Sequence, residues 1–132
     1  MKKTTATQYY FGLKFIATGS DTNGKYFMCE TTIPAGDLGP PFHSHSIEDE
    51  GFYIKKGQLT FTVNDKEIKL NQGEFLNIEK GEKHSWRNET NQDAELIVTF
   101  APAGIEHMFI ELDHDISNLK KVGRKYGTDF EV

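Results

Sequence analysis

The chain reads as an all-β domain, an antiparallel sandwich or barrel closed by short C-terminal helices. Three observations lead there. Short runs rich in aromatic and β-branched residues recur as far as about residue 101, each bounded by turn residues. Within them apolar and polar side chains alternate, most clearly where Leu59, Phe61 and Val63 interleave with Thr60 and Thr62, the period of a strand with one buried face. No helical pattern intervenes before Pro102, and strands that follow one another this way point to antiparallel pairing. At 132 residues, with 10 Phe and 5 Tyr, the chain is expected to form one domain around a single core.

In chain order, residues 9–17 are aromatic and β-branched enough for one strand and residues 25–33 for a second, with Asp21-Thr22-Asn23-Gly24 turning between them. Residues 34–41 form a loop dense in Gly and Pro. Strands follow at 42–45 and 50–54. Residues 58–63 and 67–70 form a hairpin closed by Asn64-Asp65-Lys66, and strands at 74–78, 84–88 and 95–100 complete the series. Beyond Pro102, Ile105, Met108, Phe109 and Leu112 fall at helical spacing. Ile116, Leu119, Lys120 and Val122 allow a second short helix, with Gly123 and Gly127 as stops. The expected barrel therefore occupies about 9–101, and a helical tail at about 103–126 packs against it.

A net charge of −5 offers no basic face for a phosphate backbone, so nucleic-acid binding is not expected. The one basic run, Lys120-Lys121-Val122-Gly123-Arg124-Lys125, reads as the solvated face of the last helix. Cys29 is the only cysteine; it sits in a strand pattern and is read as a small buried hydrophobe in a reducing compartment. Met1-Lys2-Lys3 is not followed by the apolar run of a signal peptide, and no segment has the length of a membrane span. A soluble, cytoplasmic protein is expected.

The chemistry concentrates at His43, His45, Glu50 and His84. Alternate strand residues point to one side of a sheet, so His43 and His45 aim their rings at one point. Glu50 shares a face with Phe52 and Ile54, and His84 with Trp86 and Asn88. Three neutral nitrogens and a carboxylate suit a divalent first-row metal: Fe, Mn, Ni, Cu, Co or Zn. Glu50 can serve as ligand or as general base, since a carboxylate beside a cation stays ionised. Glu48 is the rival for the carboxylate position by strand parity, although it and Asp49 read more simply as solvated. Phe52, Trp86 and Asn88 are candidate pocket-lining residues, with core packing the plainer role for the two aromatics and turn capping for the amide. Phe61, Phe75 and Phe100 read as core. His107 and His114 fall in the helical tail, where surface or packing roles are the rule; His107 is kept as a weak candidate at the barrel mouth.

Residues 39–57, Gly-Pro-Pro-Phe-His-Ser-His-Ser-Ile-Glu-Asp-Glu-Gly-Phe-Tyr-Ile-Lys-Lys-Gly, resemble the first motif of the cupin superfamily, with four residues between His45 and Glu50 and six between Glu50 and Gly57. Residues 73–88 resemble the second, with Gly73, Gly81, His84 and Asn88 at the motif positions and Glu79 where the family carries Pro. Asp37 stands where the first motif has a Gly. The lead-in and the tail Tyr126-Gly127-Thr128-Asp129-Phe130 are similar to small bacterial cupins of the quercetin-dioxygenase-like group. The resemblance implies a double-stranded β-helix, or jelly-roll, barrel with a metal held inside by His43, His45, Glu50 and His84. Neither departure touches a ligand.

The function expected is a mononuclear metal-dependent oxygenase acting on a small organic substrate, aromatic ones included. The variant is an isomerase or lyase using the metal as a Lewis acid. The alternative is a non-catalytic ligand-binding or sensor barrel, since fold does not fix function. A purely structural role is the weakest reading, because an inward His, His and Glu are costly to bury without a metal. A homodimer is expected, with Tyr9-Tyr10-Phe11 able to pair with the edge of a neighbouring barrel.

Overall fold

Along β10 (Ala94–Ala101) the side chains of Ala94, Leu96, Val98 and Phe100 are buried while their neighbours are not, and this strand is the spine of the larger sheet. It pairs antiparallel with β3 (Phe27–Ile33) on one side and β5 (Asp49–Lys56) on the other, setting Val98 between Cys29 and Phe52. Beyond β5 lies β8 (Phe75–Ile78); beyond β3 lie β2 (Leu13–Ala17) and β1 (Tyr9–Tyr10), completing six strands. The second sheet has five, in the order β11 (Thr128–Phe130), β4 (His43–His45), β9 (His84–Arg87), β6 (Gln58–Val63) and β7 (Lys66–Asn71). Three short helices complete the chain: α1 (Gly19–Thr22), α2 (Glu106–His114) and α3 (Leu119–Lys125). This is a computed structural model describing residues 1–132. No helix is long and apolar enough to cross a membrane.

The core lies between the sheets. Phe52 and Ile54 from one face Leu59 and Phe61 from the other, all fully buried, and the Phe52 and Phe61 rings meet edge-on at 4.8 Å. Each such side chain contributes roughly 1.5–3 kcal/mol by leaving water. At the cavity end, α2 lays Met108 and Phe109 over the barrel, with Phe109 5.7 Å from Phe100.

Several expectations are corrected. Residues 9–17 are not one strand: Tyr10 pairs with Leu13 across a two-residue turn, in which Phe11 and Gly12 have φ of 55° and 75°. That is the left-handed turn that matches strand twist. Its first position normally carries Asn or Asp, so Phe11 gives no turn signal. Ahead of Asn23, the 21–24 turn begins as a helical turn, with the Asp21 carboxylate accepting from the Thr18 N–H at 2.9 Å. Gly123 is no stop; α3 runs through it, and the glycine is needed because a Cβ would stand 2.6 Å from the Phe130 ring. The chain then returns as β11, a strand just past the helical tail expected at about 103–126. Phe75 is exposed on the outer face opposite Tyr53, its ring covering Gly51, while Ile78 takes the inward position of β8.

The loop before β4 is held by β9. Asn88 N–H donates to the Asp37 carbonyl at 2.9 Å, and Ser85 Oγ donates to the Pro40 carbonyl at 2.7 Å. Between them Gly39, at φ 78°, lies so close to β9 that a Cβ would overlap the Trp86 carbonyl oxygen. Gly39→Ala is expected to lower unfolding free energy by about 2–5 kcal/mol in urea titration, combining left-handed strain with overpacking against backbone.

Candidate metal centre

His43, His45 and Glu50 arrive from β4 and β5, and His84 from β9. The register sets His43 directly opposite His84 within the smaller sheet. Glu50 comes from the larger sheet, between Phe100 on β10 and Ile78 on β8, and crosses the gap to meet the three rings. One ligand atom from each residue lies within 4.8 Å of all the others, and all four side chains are buried.

Each imidazole is oriented by a bond through its outer nitrogen. His43 Nδ1 meets the Pro41 carbonyl at 2.9 Å, His84 Nδ1 the Glu82 carbonyl at 2.9 Å, and His45 Nδ1 the Thr128 hydroxyl at 2.8 Å. Carbonyls only accept, so Nδ1 of His43 and His84 carries the proton, and in the neutral ring Nε2 is a lone pair facing inward. The acceptors have local causes. Pro41 belongs to the loop that Gly39 lets onto β9. Glu82 closes the turn before β9, its carboxylate accepting from Glu79 N–H at 2.9 Å where the motif has Pro. Thr128 is placed by the pairing of β11 with β4, opposite His45.

The Glu50 Oε1 atom lies 3.1 Å from both His45 Nε2 and His84 Nε2. Only the His84 contact is aligned for a hydrogen bond; His45 Nε2 is left without a partner in a buried position. An orphaned nitrogen of this kind is costly unless something occupies the centre. Burial works to raise the Glu50 carboxyl, but the two imidazoles beside it outweigh that and hold it down at about 2. Burial, together with the charge of His84, pushes His43 down to about 4. Burial also opposes charge on His84, yet its contact with Glu50 prevails and raises it. Three imidazole nitrogens and one ionised carboxylate converging at a dry centre fit a divalent transition metal.

The remaining sequence candidates separate. Phe52 and Trp86 line the cavity beside the ligands. Asn88 does not: its amide donates to the Ile33 and Gln92 carbonyls at 3.1 and 2.8 Å and accepts from Thr90, organising the turn after β9. Glu48 is not solvated but 3 % exposed, with burial raising its pKa and Oε1 unpartnered; it stays outside the four-residue cluster. Asp49 is exposed, as are His107 and His114. The place over the barrel considered for His107 is taken by Met108 and Phe109.

The cavity above the ligands measures about 180 Å³, and its other walls include Cys29, Leu96, Val98, Phe100 and Phe130. Burial pushes the Cys29 thiol far above its usual range, so it acts as wall rather than nucleophile. Its alternation with Phe27 was a readable signal for an inward position. Thr128 carried no such signal, because nothing in its spacing links it to His45.

The comparisons with known proteins agree with this geometry. A family model described as "Cupin domain" matches residues 29–100. The chain is 28 % identical over 96 residues to quercetin 2,3-dioxygenase of Bacillus subtilis (strain 168), covering 73 % of this chain and 28 % of that protein. The chain thus spans less than a third of that curated relative. Among solved structures it superposes with a TM-score of 0.64 on a predicted oxalate decarboxylase from Thermotoga maritima, at 24 % identity, covering 68 % of this chain and 78 % of the other. A sugar phosphate isomerase of the cupin superfamily from Silicibacter pomeroyi DSS-3 gives 0.57 at 18 % identity, covering 68 % and 59 %. These two structural likenesses speak for the fold.

Two outcomes are expected. Thr128→Val, which removes the acceptor for His45 Nδ1, weakens zinc affinity about 10–100-fold in a chelator competition titration. His43 and Glu50 have lost their protons well below neutral pH, so His84, whose pKa its contact with Glu50 raises, is the ligand at which protons compete with metal as pH falls. Affinity therefore falls by about tenfold per pH unit as pH drops below the raised His84 pKa, which lies above the usual 6.5. Calorimetry in buffers of different ionisation enthalpy checks this through the proton released.

Proposed function

Because the chain belongs to the cupin family, we propose that it is a metal-dependent enzyme that oxygenates a small organic molecule bound above His43, His45, Glu50 and His84. The observation that carries this reading is the convergence of three imidazoles and one carboxylate on the floor of an apolar cavity. A curated relative matched over 73 % of this chain, a quercetin 2,3-dioxygenase, supports an oxygenase over the decarboxylase and isomerase named among the structural neighbours.

A bound divalent metal supplies Lewis acidity, and with a redox-active ion a route for dioxygen chemistry. The protein's part is positioning. His43, His45 and His84 present Nε2 inward because their outer nitrogens are tied. Glu50, ionised at neutral pH, either completes the ligand set or accepts a proton at Oε1 from the substrate. Phe52, Trp86 and Phe100 exclude water and press on the substrate's apolar body, which strengthens electrostatics at the floor.

Elemental mass spectrometry on the native protein and on a His43→Ala/His45→Ala variant tests the centre. Near-stoichiometric Fe, Mn, Ni, Cu, Co or Zn, lost in the variant, is expected. Protein that stays empty after reconstitution overturns the metal reading. Metal-loaded protein that consumes no oxygen with any flavonol, diketone, thiol or single-ring phenol overturns the oxygenase reading, and a ligand recovered unchanged then marks a binding protein. Glu50→Gln is expected to cut oxygen uptake by about 10²–10⁴-fold if the carboxylate takes a proton. Metal content of the same variant separates that role from ligation.

A further inference from the structure

The same cavity carries information about what enters it. Apart from the histidines, the only charged side chain on its walls is Glu50; no Lys or Arg lines it. A second carboxylate or a phosphate on a ligand, beyond the one group that can reach the floor, would therefore be buried without a partner against apolar surface. At about 180 Å³ the space is close to the roughly 150 Å³ apolar cavity known to hold a single benzene ring.

One wall is built under strain. Phe11 holds φ 55°, a conformation that side-chain-bearing residues rarely adopt, and it lines the cavity while remaining 37 % exposed. Two separate elements clamp this turn. Asp113 at the far end of α2 accepts from Phe11 N–H at 2.7 Å, and Thr31 of β3 donates to the Gly12 carbonyl at 2.9 Å. The Phe11 ring stacks on Phe109 of α2 at 6.3 Å. Backbone strain over-determined by its surroundings, at the rim of a site, is the mark of a position kept for what its side chain does there.

We infer that the substrate is a one-headed apolar molecule about one six-membered ring in size, with its single polar group at the ligand floor and its length limited by Phe11. The inference rests on this cavity being the substrate site of the proposed enzyme. It sets aside dianions and sugar phosphates for want of a cationic wall, and three-ring flavonols for want of room.

The test uses the full chain reconstituted with zinc, which is redox-silent and so permits binding without turnover. Binding of 4-methylphenol, terephthalate and quercetin is followed by calorimetry, with Trp86, the only tryptophan, as a fluorescent reporter for the two single-ring ligands. Expected is saturable binding of 4-methylphenol and at least about tenfold weaker binding of terephthalate, which in either orientation leaves one carboxylate without a partner. The ratio of quercetin to 4-methylphenol affinity is expected to be at least about tenfold higher in Phe11→Gly than in the native chain; glycine suits the left-handed turn, so the variant is expected to fold. Equal or tighter binding of terephthalate, quercetin binding the native chain as well as 4-methylphenol does, or no binding by any of the three overturns the inference. Oxygen uptake by iron-loaded protein is scored separately. Absent uptake with the expected binding order removes the oxygenase reading and supports the inference; uptake with the order reversed does the opposite.

Discussion

Burying three imidazoles and a carboxylate in the gap between two sheets is the constraint on which the rest of this structure depends. Each ring has two nitrogens, and a buried nitrogen without a partner is costly. The fold meets that demand by giving every outer nitrogen an oxygen from a different piece of local structure. Pro41 supplies one from a loop laid onto β9, Glu82 one from the turn before β9, and Thr128 one from the last strand. With the outer nitrogens engaged, the inner ones face one another and Glu50.

The four residues also need both sheets. The histidines belong to the smaller sheet and Glu50 to the larger, so the cluster exists only when the two faces are packed around Phe52 and Phe61. Folding and formation of the centre are therefore one event, and a metal bound there adds its binding free energy to stability. The same packing makes the cavity walls apolar. Strands β3, β5 and β10 turn Cys29, Phe52, Val98 and Phe100 toward it, and α2 with the β1–β2 turn covers it. A polar floor under apolar walls follows from strand parity plus one covering helix.

Much of this was legible in the chain. Parity brought His43 and His45 together, parity aligned Phe52 with Glu50 and Trp86 with His84, and the resemblance of residues 39–57 and 73–88 to a known pair of motifs joined the strands. Most strands fell where alternation and turn residues put them. The misses share a cause. The break at Phe11 is a backbone conformation its residue type argues against, and it survives because Asp113 and Thr31 hold it. Gly123 looked like a terminator and is a close approach to Phe130. Phe75 looked like core and faces outward, because pairing with β5 sets its parity. Asn88 stands on the ligand face of β9 by counting, yet the chain turns there and its amide serves the turn.

The sequence by itself determined which side chains share a strand face, His43 with His45, Glu50 with Phe52 and His84 with Trp86, since strand parity is a local property, and the resemblance implied that these faces meet. Only the tertiary structure decided that Thr128 would orient His45, that Glu48 would be buried yet outside the cluster, and that Phe11 and Phe109 would close over the cavity. Those relations join residues far apart in the chain through packing of one sheet, helix or turn on another, and no local pattern of residue types encodes that distance.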